Sequence, residues 1–207
     1  MICKEIENKI DELENSFNEI SNHRKNLLLN FSEYISAKIS QNEVINLIFI
    51  CTHNSRRSHM SQIWAQTAAH YFNIPNVKCF SGGTEATSFN PRAVKAIKES
   101  GFVVEKNDKS ENPIYFVSYS ENVEPIKCFS KVYSDEFNPQ KNFAAIMTCS
   151  DADENCPVVF GAEVRFPIRY NDPKEFDGTD LEELKYRERF EEIGTEMLFT
   201  FKNIKID

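Results

Sequence analysis

Two apolar runs, VINLIFI at 44–50 and FAAIMTC at 143–149, constrain this chain more than anything else in it. A strand with one wet face alternates apolar and polar residues. A run without that alternation must be covered on both faces, as in the middle of a parallel sheet. Between and around the two runs, helical patterns alternate with further strands. Met60, Ile63, Trp64, Ala68 and Tyr71 mark a helix over 57–72, and VKCFSGG (77–83) reads as a strand ending in a glycine turn. Asn90 and Pro91 supply an N-cap and an N1 proline for a short helix, and Gly101 stands where a glycine closes it. EVRFPIR (163–169) is expected as an edge strand because of its proline, and Thr179 or Asp180 is expected to cap a closing helix through Phe201. Strands alternating with helices predict an α/β, doubly wound parallel sheet with right-handed crossovers.

Two segments stand apart. Residues 1–43 form an N-terminal helical extension in which Ile2, Ile6, Ile10, Leu13, Phe17 and Ile20 recur at helical spacing, as do Leu27, Leu28, Phe31, Tyr34, Ile35 and Ile39. SNH at 21–23 allows a break, so two helices or one long helix fit equally, and the apolar stripe must cover either the main body (44–207) or a second copy in a homodimer. Residues 112–142 look like a β-hairpin or long loop inserted on the core.

The balance of charge excludes whole classes of partner. A net charge of -8 and an isoelectric point near 5.2 argue against binding nucleic acid or an anionic membrane surface, both of which need clustered Lys and Arg. No run reaches the ~20 apolar residues of a membrane span, and MICKEIENKI lacks the order of a signal peptide, so a soluble cytoplasmic protein is expected. Six cysteines are too few for a disulfide scaffold of 207 residues and are expected to be free or redox-active.

The first run ends in CTHNSRRS (51–58). At the carboxyl end of a central strand, with a helix just beyond, this loop can turn backbone N–H groups of Thr52, His53, Asn54, Ser55 and Arg56 onto an anion. The same positive helix end favours the thiolate of Cys51, Arg57 offers a planar fork to a tetrahedral oxyanion, and Ser58 can donate to the sulfur. The second run leads into CSDADENC, which places Cys149 and Cys156 at a spacing that suits a redox pair, an inert pair or, with the carboxylates between, a metal site. Structural zinc favours closer pairs and four ligands, and no second pair is present, so no metal is assigned.

CTHNSRRS resembles the phosphate loop of the low-molecular-weight protein tyrosine phosphatase superfamily, and SGGTEATSFNPRAVKAIKESGF (81–102) resembles its second strand and helix. MTCSDADENCPVVF (147–160) is similar to the redox segment of the thioredoxin-coupled arsenate reductases of that superfamily. The resemblance spans about 44–111 and 143–205, and implies a four-stranded parallel sheet. It implies that Cys51 attacks arsenate, Cys149 then attacks Cys51, and Cys156 resolves the disulfide for a thioredoxin-like reductant, with no cofactor. Asp172, followed by Pro173, matches the general acid of the superfamily, with Asp177 and Asp180 as fallbacks. The alternative is a phosphatase hydrolysing phosphotyrosine or small phosphate monoesters through a Cys51 phosphocysteine. Lys174 and Glu175 follow Asp-Pro where an aromatic is usual, which weakens a phosphotyrosine reading. His53 replaces a glycine-like position, and Arg56 is expected to face solvent or the outer field of a bound dianion. Some reductases of the family hold potassium near the loop. Asn54 and Ser81 match two of its ligands, but Gln62 stands where a glutamate is expected. Cys3, Cys79 and Cys128 carry no assigned role.

Overall fold

The computed structural model describes residues 2–155 and 158–206, and Cys156 lies outside them. Both apolar runs form neighbouring central strands. The chain runs α1 (Lys4–Asn15), a 3-10 turn, α2 (Asn22–Ser40), β1 (Ile45–Cys51), α3 (Arg57–Tyr71), β2 (Val77–Gly83), α4 (Pro91–Glu99), β3 (Val103–Lys106), β4 (Tyr115–Ser118), β5 (Ile126–Cys128), β6 (Phe143–Met147), α5 (Ser150–Asn155), β7 (Ala162–Phe166), a second 3-10 turn and α6 (Glu182–Lys202). A four-stranded parallel sheet of order β2-β1-β6-β7 carries the expected α/β architecture, with β7 at the edge and Pro167 just beyond its end.

Alternate residues of β1 serve two cores. Leu47 and Phe49 join α1, α2, α3, α4 and α6 on one face, while Ile48 and Ile50 meet Phe143, Ala145, Met147, Cys149 and Ala152 on the other. SNH is a true break: Ser21 accepts the Arg24 N–H as an N-cap, so the extension is two helices. Their stripes are spent on the same chain. Ile6, Ile10, Leu28, Phe31 and Ile35 are fully buried, Phe17 meets Phe199 edge-on with centroids 5.5 Å apart, and Arg24 forms a bidentate pair with Glu196 at 2.7 Å. The approach is close at Gly194 of α6, where a Cβ would stand 2.7 Å from the Trp64 ring and 2.8 Å from Leu13.

Three details differ from the sequence reading. The inserted segment does form a hairpin, β4 with β5, but β3 joins it through Val104 opposite Val117 to make a separate three-stranded antiparallel sheet. After β5 the chain lies along the outer edge of β2, bridged in parallel from Val132 to Gly83. Neither Thr179 nor Asp180 is the cap of α6. The helix starts later, at Glu182, and Thr179 meets its first donors: Thr179 Oγ1 accepts from Leu181 N at 3.3 Å and the Thr179 carbonyl from Glu182 N at 3.1 Å, while the Glu182 carboxylate reaches back to accept the Gly178 N–H at 2.6 Å. No helix among the described residues is long and apolar enough to cross a membrane.

Because α1 contributes to the main core, Ile10→Ala is expected to cost about 3 kcal/mol through the cavity it leaves. Urea unfolding checks this, and a midpoint unchanged from wild type would show that the extension is only loosely attached.

Candidate active site

Parallel pairing aligns the two functional strand ends. Ile50 lies opposite Met147, and the Thr148 N–H donates to the Ile50 carbonyl at 2.7 Å, so the loop after Cys51 and the turn at Cys149 leave the sheet side by side. Both thiols are buried. Thr52 Oγ1 lies 3.5 Å from Cys149 Sγ, joining the two loops.

The carbonyls of the loop are tied outward. Cys51 O accepts from Thr84 N at 3.1 Å, Thr52 O from Glu85 N at 2.8 Å, His53 O from Ser130 Oγ at 2.9 Å and Ser55 O from Asn90 N at 2.9 Å. No peptide among the described residues is cis, so each outward carbonyl turns the following N–H the other way. The amides of Thr52, His53, Asn54 and Arg56 therefore face the concave side, at the N-terminus of α3, as an anion nest requires. Tight approach of the neighbouring segments depends on glycine: a Cβ on Gly83 would stand 2.7 Å from Thr52 O and 2.8 Å from Asn54 N.

The hydroxyl of Ser58 is aimed by its neighbours. Asn54 Nδ2 donates to Ser58 Oγ at 2.8 Å, which leaves the hydroxyl proton for Cys51 Sγ at 3.1 Å. Asn54 itself holds a left-handed φ of 45°. A hydroxyl aimed at the sulfur and the helix N-terminus behind it place two dipoles where a nucleophilic sulfur would react.

Arg57 and Asp172 meet as a pair, with Nη2 to Oδ2 at 2.6 Å, while Arg57 Nη1 donates to the Tyr170 carbonyl at 3.0 Å. Asp172 also accepts from Lys174 N at 3.1 Å, opening the second 3-10 turn. An entering dianion must compete with this carboxylate for the guanidinium, which brings Asp172 to the side of the bound anion. Arg56 does not face solvent. It donates to Tyr186 Oη at 3.0 Å and lies 3.6 Å from Asp172, because Tyr186 of α6 closes over it. Ser55 spends its hydroxyl on the Ser88 carbonyl at 2.7 Å, and the His53 side chain is half-exposed, 3.6 Å from Glu85. Asp177 is held by Tyr186 Oη at 2.8 Å.

Cys149 opens α5. Its sulfur accepts the Ala152 N–H at 3.4 Å. Asp153 pins that short helix to the sheet edge, taking Arg165 Nη2 at 2.5 Å and pairing with Arg169, which also reaches Glu154 at 3.1 Å. The acidic run between the two cysteines is thereby largely neutralised.

Several residues behind the loop carried no signal in the sequence. Tyr170 presents its carbonyl to Arg57 and its ring to Arg24 of α2, 4.9 Å away. Lys131 N donates to Asn54 Oδ1 at 3.0 Å, and Asn112 brackets Ser130 through both ends of its amide, at 2.8 and 3.1 Å. These contacts also decide whether a potassium ion fits. Asn54 is committed at both ends, Ser81 Oγ is paired with His59 Nδ1 at 3.1 Å, and Gln62 donates to the Cys79 carbonyl at 3.1 Å. With no carboxylate among these three positions, the residues present do not fit such a cation. Cys79 and Cys128 are buried thiols whose pKa values burial pushes up, the latter to about 12, which makes them inert.

A Cys-x5-Arg anion loop between the central strand of a four-stranded parallel sheet and its helix defines the class of the low-molecular-weight phosphatase fold. A YwlE mutant from Bacillus subtilis superposes with a TM-score of 0.52 at 17% identity, covering 76% of this chain and 97% of its own. A low molecular weight phosphotyrosine phosphatase from Vibrio cholerae O395 gives 0.50 at 13%, covering 75% and 93%. No family model matches the chain. The curated arsenate reductase of Bacillus subtilis strain 168 is 31% identical over 159 residues, 76% of this chain and 94% of its own length. That of Bacillus licheniformis is 30% identical over 152 residues, 72% and 88%. The chain belongs to the arsenate reductase family.

Removing the Ser58 hydroxyl is expected to slow alkylation of Cys51 by iodoacetamide at pH 7 roughly tenfold, the equivalent of a lost bond of about 1.4 kcal/mol to a charged acceptor. Mass spectrometry of the Cys51 peptide reads the rate. Equal rates in Ser58→Ala and wild type would refute the assigned bond.

Proposed function

We propose that this protein reduces arsenate to arsenite with Cys51 as nucleophile and Cys149 and Cys156 as the relay, residues 44–207 forming the catalytic body. The observation that carries the reading is the second thiol: Cys149 lies beside the anion loop, linked to it through Thr52. A phosphatase needs no such group.

Arsenate binds to the loop amides and Arg57, and the Cys51 thiolate attacks arsenic. An arsenate oxygen leaves as water, protonated by Asp172, and a sulfur–arsenic(V) bond remains. The Cys149 thiolate then attacks Cys51 Sγ. The sulfur–arsenic bond breaks with its electron pair staying on arsenic, so arsenite leaves as arsenic(III) and a Cys51–Cys149 disulfide forms. Cys156 attacks Cys149, Cys51 departs as thiolate, and the resulting Cys149–Cys156 disulfide is reduced by a thioredoxin-like dithiol. Ser58 supports Cys51 as attacking and as leaving group. The shuttle also requires α5 to loosen, since Cys149 is fully buried and Asp153 is clamped by two arginines.

Thioredoxin-coupled arsenate turnover tests this, run beside hydrolysis of an aryl phosphate. Cys51→Ser is expected to abolish both. Cys149→Ser is expected to stop arsenite release after the first adduct, a loss of at least about a thousandfold, as for a residue that carries the chemistry itself. Full arsenate turnover by Cys149→Ser would overturn the relay, and phosphatase activity insensitive to that change, without arsenate reduction, would establish the phosphatase instead.

A further inference from the structure

The inserted segment buries a lysine that the relay does not use. Lys131 is 3% exposed. Its Nζ donates to the Phe129 carbonyl at 3.3 Å and lies 4.3 Å and 5.3 Å from the Phe129 and Phe137 ring centroids. The groups that face it are His59 from α3, Cys128 from β5 and Asp135 of its own segment. Burial, and then the Lys131 charge, push the His59 imidazole well below its ordinary value, while burial pushes the Cys128 thiol up to about 12. Both are therefore neutral near pH 7, and Asp135 is the acidic group that draws on the ammonium.

Burying a cation is costly even with one carboxylate and two aromatic rings to draw on it, so a buried ammonium calls for a use of its charge. The same residue sets the loop: its N–H fixes Asn54 Oδ1, Asn54 fixes Ser58, and Ser58 fixes Cys51. Its charge reaches His59, in the first turn of α3 and bonded to Ser81, and Cys128, whose thiol points at Gln62 Oε1 from 4.0 Å. Those contacts surround the three positions that do not fit potassium.

We propose that Lys131 is a positioning residue whose ammonium serves as the fixed cation behind the oxyanion loop, in place of an exchangeable monovalent ion. This rests on the loop being the oxyanion site, whichever reaction follows.

The cost has a defined pH signature. Burial lowers the Lys131 pKa from 10.5 to about 8. Below about 8 the folded protein carries the full penalty, and between about 8 and 10.5 the unfolded chain holds a proton that the folded one lacks, so this group's contribution to stability improves as pH rises. Its contribution to anion binding is lost as pH rises through about 8, where the folded lysine gives up its proton.

Calorimetric titration with inorganic phosphate tests the proposal. Wild type is expected to bind with the same Kd in potassium chloride and in tetramethylammonium chloride at equal ionic strength. At pH 7, Lys131→Met is expected to bind about fivefold more weakly with a Tm equal to or above that of wild type, and the difference in Kd should close above about pH 9. Potassium tightening of wild-type binding overturns the proposal and needs no variant. So does a Lys131→Met protein with wild-type affinity, or one with a lowered Tm and a Kd gap that persists above pH 9, which marks a packing role. Failure of wild type to bind phosphate in either salt refutes the oxyanion site itself, and this inference with it.

Discussion

The pairing of β1 between β2 and β6 is the constraint on which the rest depends. A strand covered on both sides and both faces cannot slip, because a shift of one residue would move every side chain to the opposite core. With β1 and β6 parallel and in fixed register, their carboxyl ends share one rim, so a nucleophile placed at the end of one strand has a second thiol at the end of the next. Proximity of the two cysteines is thus a property of the sheet.

What the chain adds to that body acts from behind the site. The N-terminal helices reach Arg57 through Arg24 stacked on Tyr170, whose carbonyl holds the guanidinium. The inserted segment reaches Cys51 through Lys131, Asn54 and Ser58. Each approach uses a rigid, buried relay to fix a reacting group, and neither addition needs to touch substrate. Preorganisation of this kind is what holds reacting groups to sub-ångström tolerance.

The elements that were legible in the sequence are those whose signal is local. Continuous apolar runs gave β1 and β6, the Asn90-Pro91 pair gave the start of α4, and the spacing in CTHNSRRS gave the loop. β3 was missed because VVEK is short and has one buried residue, Val104, whose partner Val117 lies across the inserted hairpin. The sequence left Arg56 between solvent and the outer field of an anion, because Tyr186, whose hydroxyl holds it beside Asp172, is 130 residues away. Lys131 is the clearest case: a lysine in CFSKVYS reads as solvated, and only the folding of Phe129 and Phe137 over it makes it a core residue. Asn54 matched a ligand pattern, yet its oxygen is claimed by a segment that the pattern does not contain.

The outward anchoring of the loop carbonyls bears on selectivity. Four peptides are oriented by bonds made when the protein folds, so the nest waits in its working shape and little reorganisation accompanies binding. A rigid cup of this kind would select a tetrahedral dianion by size and shape, and phosphate and arsenate share charge and geometry closely enough that the spread of hydrogen-bond distances accommodates both. Discrimination between them must come after capture. Arsenic(V) accepts an electron pair in a thiol–disulfide exchange and phosphorus(V) does not, so under the proposed relay phosphate would enter, resist reduction and leave, and the two oxyanions would be sorted by what the thiols can do to them.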